Sequence, residues 1–353
     1  MFMMMRRLRL MVVLGVGAVL LSACGEALEG AIADAETGYV SMDRDARQAV
    51  IDALQEVLDG DADLAAADRG RATAWLGVLL VRHGQLEAAV SRLAGFEEVA
   101  DELVAADDPV SAVRGLGALG SALVGLQLDL NAEPPLQRAL ALAKEESLMR
   151  HPALFDTMTE MAWLTYLPGV GGNDGDTHAE ATSAAEAILE QAAAIARANG
   201  GPDDPRLGTV DLMRANLLRS QSLDPALSPE ALSTLAQNVE KSLVAALSRL
   251  PLDHPDRVPA LEMLAELRLG YCEVESMELL SQEAVEVAKT IYGDTAKRTY
   301  RARTTYGDMV RYAGDDARGR QMILDARKVH YEDGGEGLQD PSEWEVTSYG
   351  CIE

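Results

Sequence analysis

The sequence predicts an all-α protein, a right-handed solenoid of stacked helix pairs. Ala and Leu dominate while aromatic residues make up only 4% of the chain, a bias that favours helices over sheets. Hydrophobic residues amount to 48%, enough to build a core, so the high charge does not mark a disordered chain. Apolar positions also recur with the helical period from about Asp43 almost to the end, broken at intervals by loop residues.

The first segment lies outside that pattern. Arg6, Arg7 and Arg9 precede the apolar run Leu10 to Leu21, which is too short to span a bilayer comfortably and suits a signal peptide. The run ends in Leu21-Ser22-Ala23-Cys24. Basic region, apolar run and this tetrapeptide, in that order, resemble the lipobox signal of bacterial lipoproteins. The resemblance implies that residues 1–23 are removed and that Cys24 carries the lipid, palmitate included. It also implies that the protein is anchored in the bacterial cell envelope. Gly25 stands where an Asp would signal retention in the inner membrane, which points to the outer membrane, facing the periplasm. Several acyl chains, each CH₂ contributing ~0.8 kcal/mol, anchor a protein effectively permanently. Residues 24–42 have weak patterning and read as a tether.

The solenoid is expected over residues 43–331. Ala72 to Leu93 places Leu76, Leu79 and Leu80 on one helical stripe, breaks at Gly84, and places Leu86, Ala89, Val90 and Leu93 on a second. Leu76-Gly77, the turn Gly84 and Ala89 resemble a tetratricopeptide repeat, although Phe96 stands where that family usually has Ala. The layout returns with Tyr306-Gly307, Gly314, Gly319, Ile323 and Ala326, and with Leu264-Ala265 and Ala284, where Cys272 replaces the turn glycine. Ala265 and Gly307 lie about 42 residues apart. This period, with Asp253-His254-Pro255 ahead of the pair, is similar to the longer repeat of kinesin light chains and their bacterial relatives. Related openings end at Pro109, Pro152 and Pro205, and an Asp before Pro is a good helix start because the side chain caps free N–H groups. Six helix pairs are expected, with inserted loops at Leu167 to Ala181 and Ser222 to Ala231.

Three motifs bear on chemistry. Gly115, Gly117 and Gly120 spell G-x-G-x-x-G, but a dinucleotide site needs a strand before the first glycine, and the residues upstream open a helix. Gly117 instead occupies the small-residue position filled by Gly77, Ala162, Ala215, Ala265 and Gly307, where small side chains let helices approach closely. Asn173, Asp174, Asp176 and Glu180 offer oxygens in an acidic loop, yet Gly175 falls where a calcium ligand is needed. His83, His151, His178, His254 and His330 are scattered without zinc-ligand spacing, and no G-x-S-x-G surrounds a serine. No catalytic, metal or cofactor residues are therefore assigned.

The net charge is −26, and loss of the three signal arginines makes the mature chain more negative still. That excludes nucleic acid as a partner, since phosphates need Lys and Arg opposite them. Residues 332–353 lose the periodicity and read as an irregular tail. Cys272, at a turn, and Cys351, in that tail, are candidates for a disulfide outside the cytoplasm. Resemblance implies a membrane-anchored scaffold or adaptor that holds a protein or peptide partner. The alternative is an envelope enzyme or small-ligand receptor with its site on the inserted loops.

Overall fold

The structure, a computed structural model, describes residues 28–36, 42, 44–60, 64–170, 175–221 and 227–332. All regular structure among these residues is helical. The chain divides into two compact units, Met1–Glu160 and Met161–Glu353. The first holds α1 (28–36), α2 (Arg44–Asp59), α3 (Ala66–His83), α4 (Leu86–Arg92), α5 (Phe96–Ala105), α6 (Pro109–Gly125) and α7 (Asp129–Glu145). Helix α8 (Phe155–Val170) crosses the division. The second unit continues with α9 (Gly175–Gly200), α10 (Arg206–Gln221), α11 (Pro229–Arg249), α12 (Arg257–Gly270), α13 (Val274–Tyr292), α14 (Lys297–Tyr312) and α15 (Asp316–Glu332). Within each unit consecutive helices pack against one another, with α6 on α7, α10 on α11, α12 on α13 and α14 on α15. The fold is an all-α helical repeat.

Helix starts follow the capping chemistry that the sequence offers. The Asp108 carboxylate accepts the Ser111 N–H at 3.1 Å, with Pro109 in the first helical turn. The three other openings share one device: the residue before proline accepts the N–H of the residue after it. His151 Nδ1 receives Ala153 N–H at 3.2 Å, Asp204 receives Arg206 N–H at 2.9 Å, and His254 Nδ1 receives Asp256 N–H at 3.2 Å. Asp204 also clasps the Arg206 guanidinium through Nε at 3.0 Å and Nη2 at 2.7 Å, both side chains being buried.

The turn inside four of the pairs is one backbone structure repeated. Gly84, Gln127, Cys272 and Gly314 all lie in the left-handed region, with φ of 82°, 63°, 59° and 102°. The N–H of the next residue then reaches back to the last turn of the first helix. Gln85 bonds to Leu80 O at 2.9 Å, Leu128 to Leu123 O at 2.9 Å, Glu273 to Arg268 O at 2.8 Å and Asp315 to Val310 O at 3.1 Å. These bonds satisfy carbonyls that a helix end otherwise leaves open.

The small-residue position is buried in each of the six helices predicted to carry it. Ala162, Ala215 and Ala265 are at most 1% exposed, and a Cβ on Gly77 or Gly307 would stand 2.6 Å from Leu93 Cδ1 or 2.7 Å from Ile323 Cγ1. The G-x-G-x-x-G run sits in the middle of α6 and serves packing at all three glycines. A Cβ on Gly115 would meet the Phe96 ring at 2.2 Å, on Gly117 the Thr157 hydroxyl at 2.6 Å, and on Gly120 Leu136 at 2.3 Å. Phe96 thus replaces the usual small residue because Gly115 makes room for its ring.

Several expectations need correction. The expected tether contains α1, whose Leu28, Ala31, Ile32 and Ala35 are buried; their i, i+3, i+4, i+7 spacing makes a short apolar stripe. The second helix of the first pair is not continuous. It stops at Arg92, Gly95 turns left-handed at φ 75°, and α5 follows, although Leu86, Ala89 and Leu93 are buried as the stripe requires. Both inserted loops are shorter than the glycine and proline content implies. Helix α8 runs to Val170 and α9 starts at Gly175. Helix α11 starts at Pro229, where Ser228 caps the Ala231 N–H at 3.2 Å.

Gly115→Ala is expected to lower stability by about 2 kcal/mol, overpacking against the buried Phe96 ring outweighing a helix-propensity gain of about 1 kcal/mol. Gly30→Ala, with nothing within 4 Å, receives only the gain. Urea unfolding of the two variants should separate them; equal stability would show that the ring contact is not limiting.

Candidate functional site

The predicted site residues are widely dispersed. Cys24 and Cys351 lie outside the described residues, as do Asn173 and Asp174 and the side chains of Asp176 and His178. Cys272 is exposed at its left-handed turn and is disulfide-bonded to a cysteine outside the described residues. His151 and His254 cap helix starts as described above. His83 is buried near the end of α3, and burial, with Arg47 and Arg44 nearby, holds its pKa below the usual value. His330 stacks on Tyr300 with ring centroids 5.0 Å apart, its Nδ1 3.1 Å from Thr295 O. Among the described residues no three His, Cys, Asp or Glu side chains converge as a metal site. No helix among them is long and apolar enough to cross a membrane.

Two surfaces of the second unit bring functional groups together. The first runs across the first helices of consecutive pairs, α10, α12 and α14. Arg219 of α10 pairs with Glu266 of α12 at 2.6 Å, and Thr209 Oγ1 donates to Asp256 at 2.6 Å. Glu262, one turn before Glu266, is partly buried and within electrostatic reach of Glu266 and of Arg301 of α14. Burial, reinforced by Glu266, pushes its carboxyl up to about 7, and Arg301 offsets only part of that. The row combines two arginines and two neighbouring carboxyls, one of them poised to titrate near neutrality.

The second surface is a groove of ≈ 360 Å³ formed by α13, α14 and α15. Val285, Met322, Ala326 and Val329 give it apolar walls. At one side the Tyr306 hydroxyl accepts Gln282 Nε2 at 2.9 Å and Arg318 Nη2 at 3.4 Å, while Arg318 holds both Glu278 oxygens at 2.7 and 2.9 Å. Glu286, Arg303 and Asp325 also line it. Apolar walls with a few converging polar groups are the make-up of a ligand-binding pocket.

Sequence reasoning missed both surfaces. The carboxyls were visible only as members of an acidic excess, and the groove joins residues of three helices with no shared motif. The periodicity held one usable signal, because Glu262 lies three residues before the small-residue position Ala265.

The described helices define an all-α helical-repeat protein. No protein-family model matches the chain, and no curated protein matches it. Among solved structures it is similar to the crystal structure of BtubC (BKLC) from P. vanneervenii, with a TM-score of 0.44 and 15% identity, covering 75% of this chain and 99% of that one.

The raised pKa of Glu262 has a definite sign for stability. Its folded carboxyl titrates above the free value of 4.5, so protonation favours the fold. That contribution is complete below about pH 4.5 and is lost as pH rises through about 7. The difference in melting temperature between Glu262→Gln and wild type should therefore rise across this window. A pH-independent difference would place the carboxyl in water.

Proposed function

We propose that the protein is a lipid-anchored scaffold of the bacterial cell envelope that holds a protein partner against the helical-repeat surface of α10, α12 and α14. The observation that carries the reading is the row of side chains on three successive first helices. Repeated helix pairs offer one extended surface to a partner rather than a closed pocket. Arg219, Glu266, Glu262 and Arg301 suit a polar segment, and the chain's net charge of −26 favours a basic one.

The location is supported by the sequence alone. Cys24, at the end of the lipobox-like tetrapeptide, is the lipid attachment site, and Gly25 directs the mature protein to the outer membrane, facing the periplasm. Cys24→Ser should abolish lipid labelling and move the protein from the membrane to the soluble fraction. A wild-type protein that is already soluble, or that begins elsewhere than Cys24, would remove the anchor from the reading.

Affinity for a captured partner should fall as salt rises to about 0.5 M, where screening acts within a few ångströms. Affinity unchanged by salt would assign recognition to apolar contacts instead.

A further inference from the structure

We propose that the α13–α15 groove is occupied by the protein's own C-terminal segment, residues 333–353, pinned there by a disulfide between Cys351 and Cys272. Cys272 is oxidised and its partner lies outside the described residues. The chain has three cysteines, which leaves Cys24 and Cys351. Cys351 follows the end of α15 by 19 residues, and α15 packs beside α13, whose start Cys272 immediately precedes. The pairing does not depend on the lipid anchor.

The path of the segment follows from where α15 ends. At that end His330 stacks on Tyr300 and meets Thr295 O, so the chain leaves beside the loop between α13 and α14. Cys272 lies at the opposite end of the helices, just before α13, where Glu278 pairs with Arg318 near the start of α15. A segment leaving Glu332 must therefore retrace α15, whose 17 residues span about 25 Å. Residues 333–351 reach ~60 Å when extended, which allows the return with slack. The groove lies midway along the route, between Gln282 and Glu286, Arg303 and Tyr306, and Met322 and Val329.

The register fits as well. Val285 stands about 20 Å along α13 from Cys272. Trp344, extended backwards from Cys351, reaches ~23 Å. Trp344 thus arrives at the groove, with Val346 two residues on and facing the same way in an extended chain. Both match walls built of Val285, Met322, Ala326 and Val329. Val274 and Leu279 of α13 and Leu324 of α15, exposed apolar side chains, lie on the two helices that flank the route.

Charge opposes this docking. Glu343 and Glu345 flank Trp344, while Glu286 and Asp325 line the groove beside a single arginine. The tether overcomes the opposition, since a covalent link holds a segment at millimolar effective concentration. Forming the bond removes two electrons and two protons from the Cys272 and Cys351 thiols. A disulfide-donor protein takes both, its own disulfide becoming a dithiol. Reduction reverses the exchange and frees the groove.

Peptide mapping of the full-length exported protein without reductant, combined with peroxide oxidation, tests the proposal. Mapping should yield a Cys272–Cys351 peptide within one chain. A Cys272–Cys24 peptide, or a Cys272–Cys351 link between two chains, would overturn it. Met322 should form sulfoxide several-fold faster in Cys351→Ser and in Trp344→Ala than in wild type, while Met277, fully buried, stays slow in all three and reports an intact fold. An unchanged Met322 rate in both variants would show that the segment lies elsewhere, even if the disulfide forms.

Discussion

Four of the helix pairs each depend on one residue in the left-handed region. Placing a side chain there costs about 1–2 kcal/mol unless the residue is glycine. Gly84 and Gly314 avoid that cost, whereas Gln127 and Cys272 bear it. It is offset by the backbone bond from the following residue into the last turn of the first helix, made four times with nearly the same length. The turn sends the chain straight back, so the second helix lies antiparallel on the first. Asp107 and Ser147 take the same conformation between pairs, and Asp108 and Leu148 make the equivalent bonds to Leu103 and Ala143. One local geometry thus governs both kinds of connection in this stretch of the first unit.

The buried polar groups at the helix starts serve the same end. A buried ion pair is seldom a net source of stability, because both charges leave water. Asp204 and Arg206 are nevertheless buried together, and the second oxygen and the backbone N–H of Arg206 leave no strong acceptor idle. Gly200 is shaped around this pair, since a Cβ there would fall 1.9 Å from Asp204 Oδ2. Arg257 does related work one pair later, donating to the Leu247 and Leu250 carbonyls at 2.9 and 3.1 Å. Polar anchors fix the angle at which the next helix enters, which apolar contacts alone leave free to slide.

Much of this fold was legible in the residues. The small-residue position, the turns at Gly84 and Gly314 and the proline-marked helix starts all follow from chemistry local to a few residues. The turn at Gln127 was not legible, because nothing in glutamine announces a positive φ. Helix α1 was passed over because its apolar stripe is short and rich in alanine. The break between α4 and α5 arises from Phe96 fitting against Gly115, a contact between residues nineteen positions apart. The site was legible least. Cys272 could be placed at a turn from the repeat alone, but the titration of Glu262 depends on Arg301 and on packing that no local pattern encodes.

Helix α6 has a mechanical consequence. Phe96 of α5, Leu136 of α7 and Thr157 of α8 press on its bare backbone at Gly115, Gly120 and Gly117, with no Cβ between. Interfaces packed to that closeness have little compressible space, so a force across the helix at these contacts meets backbone rather than side chains free to turn. This part of the first unit is stiff under compression and yields by separation of whole helices.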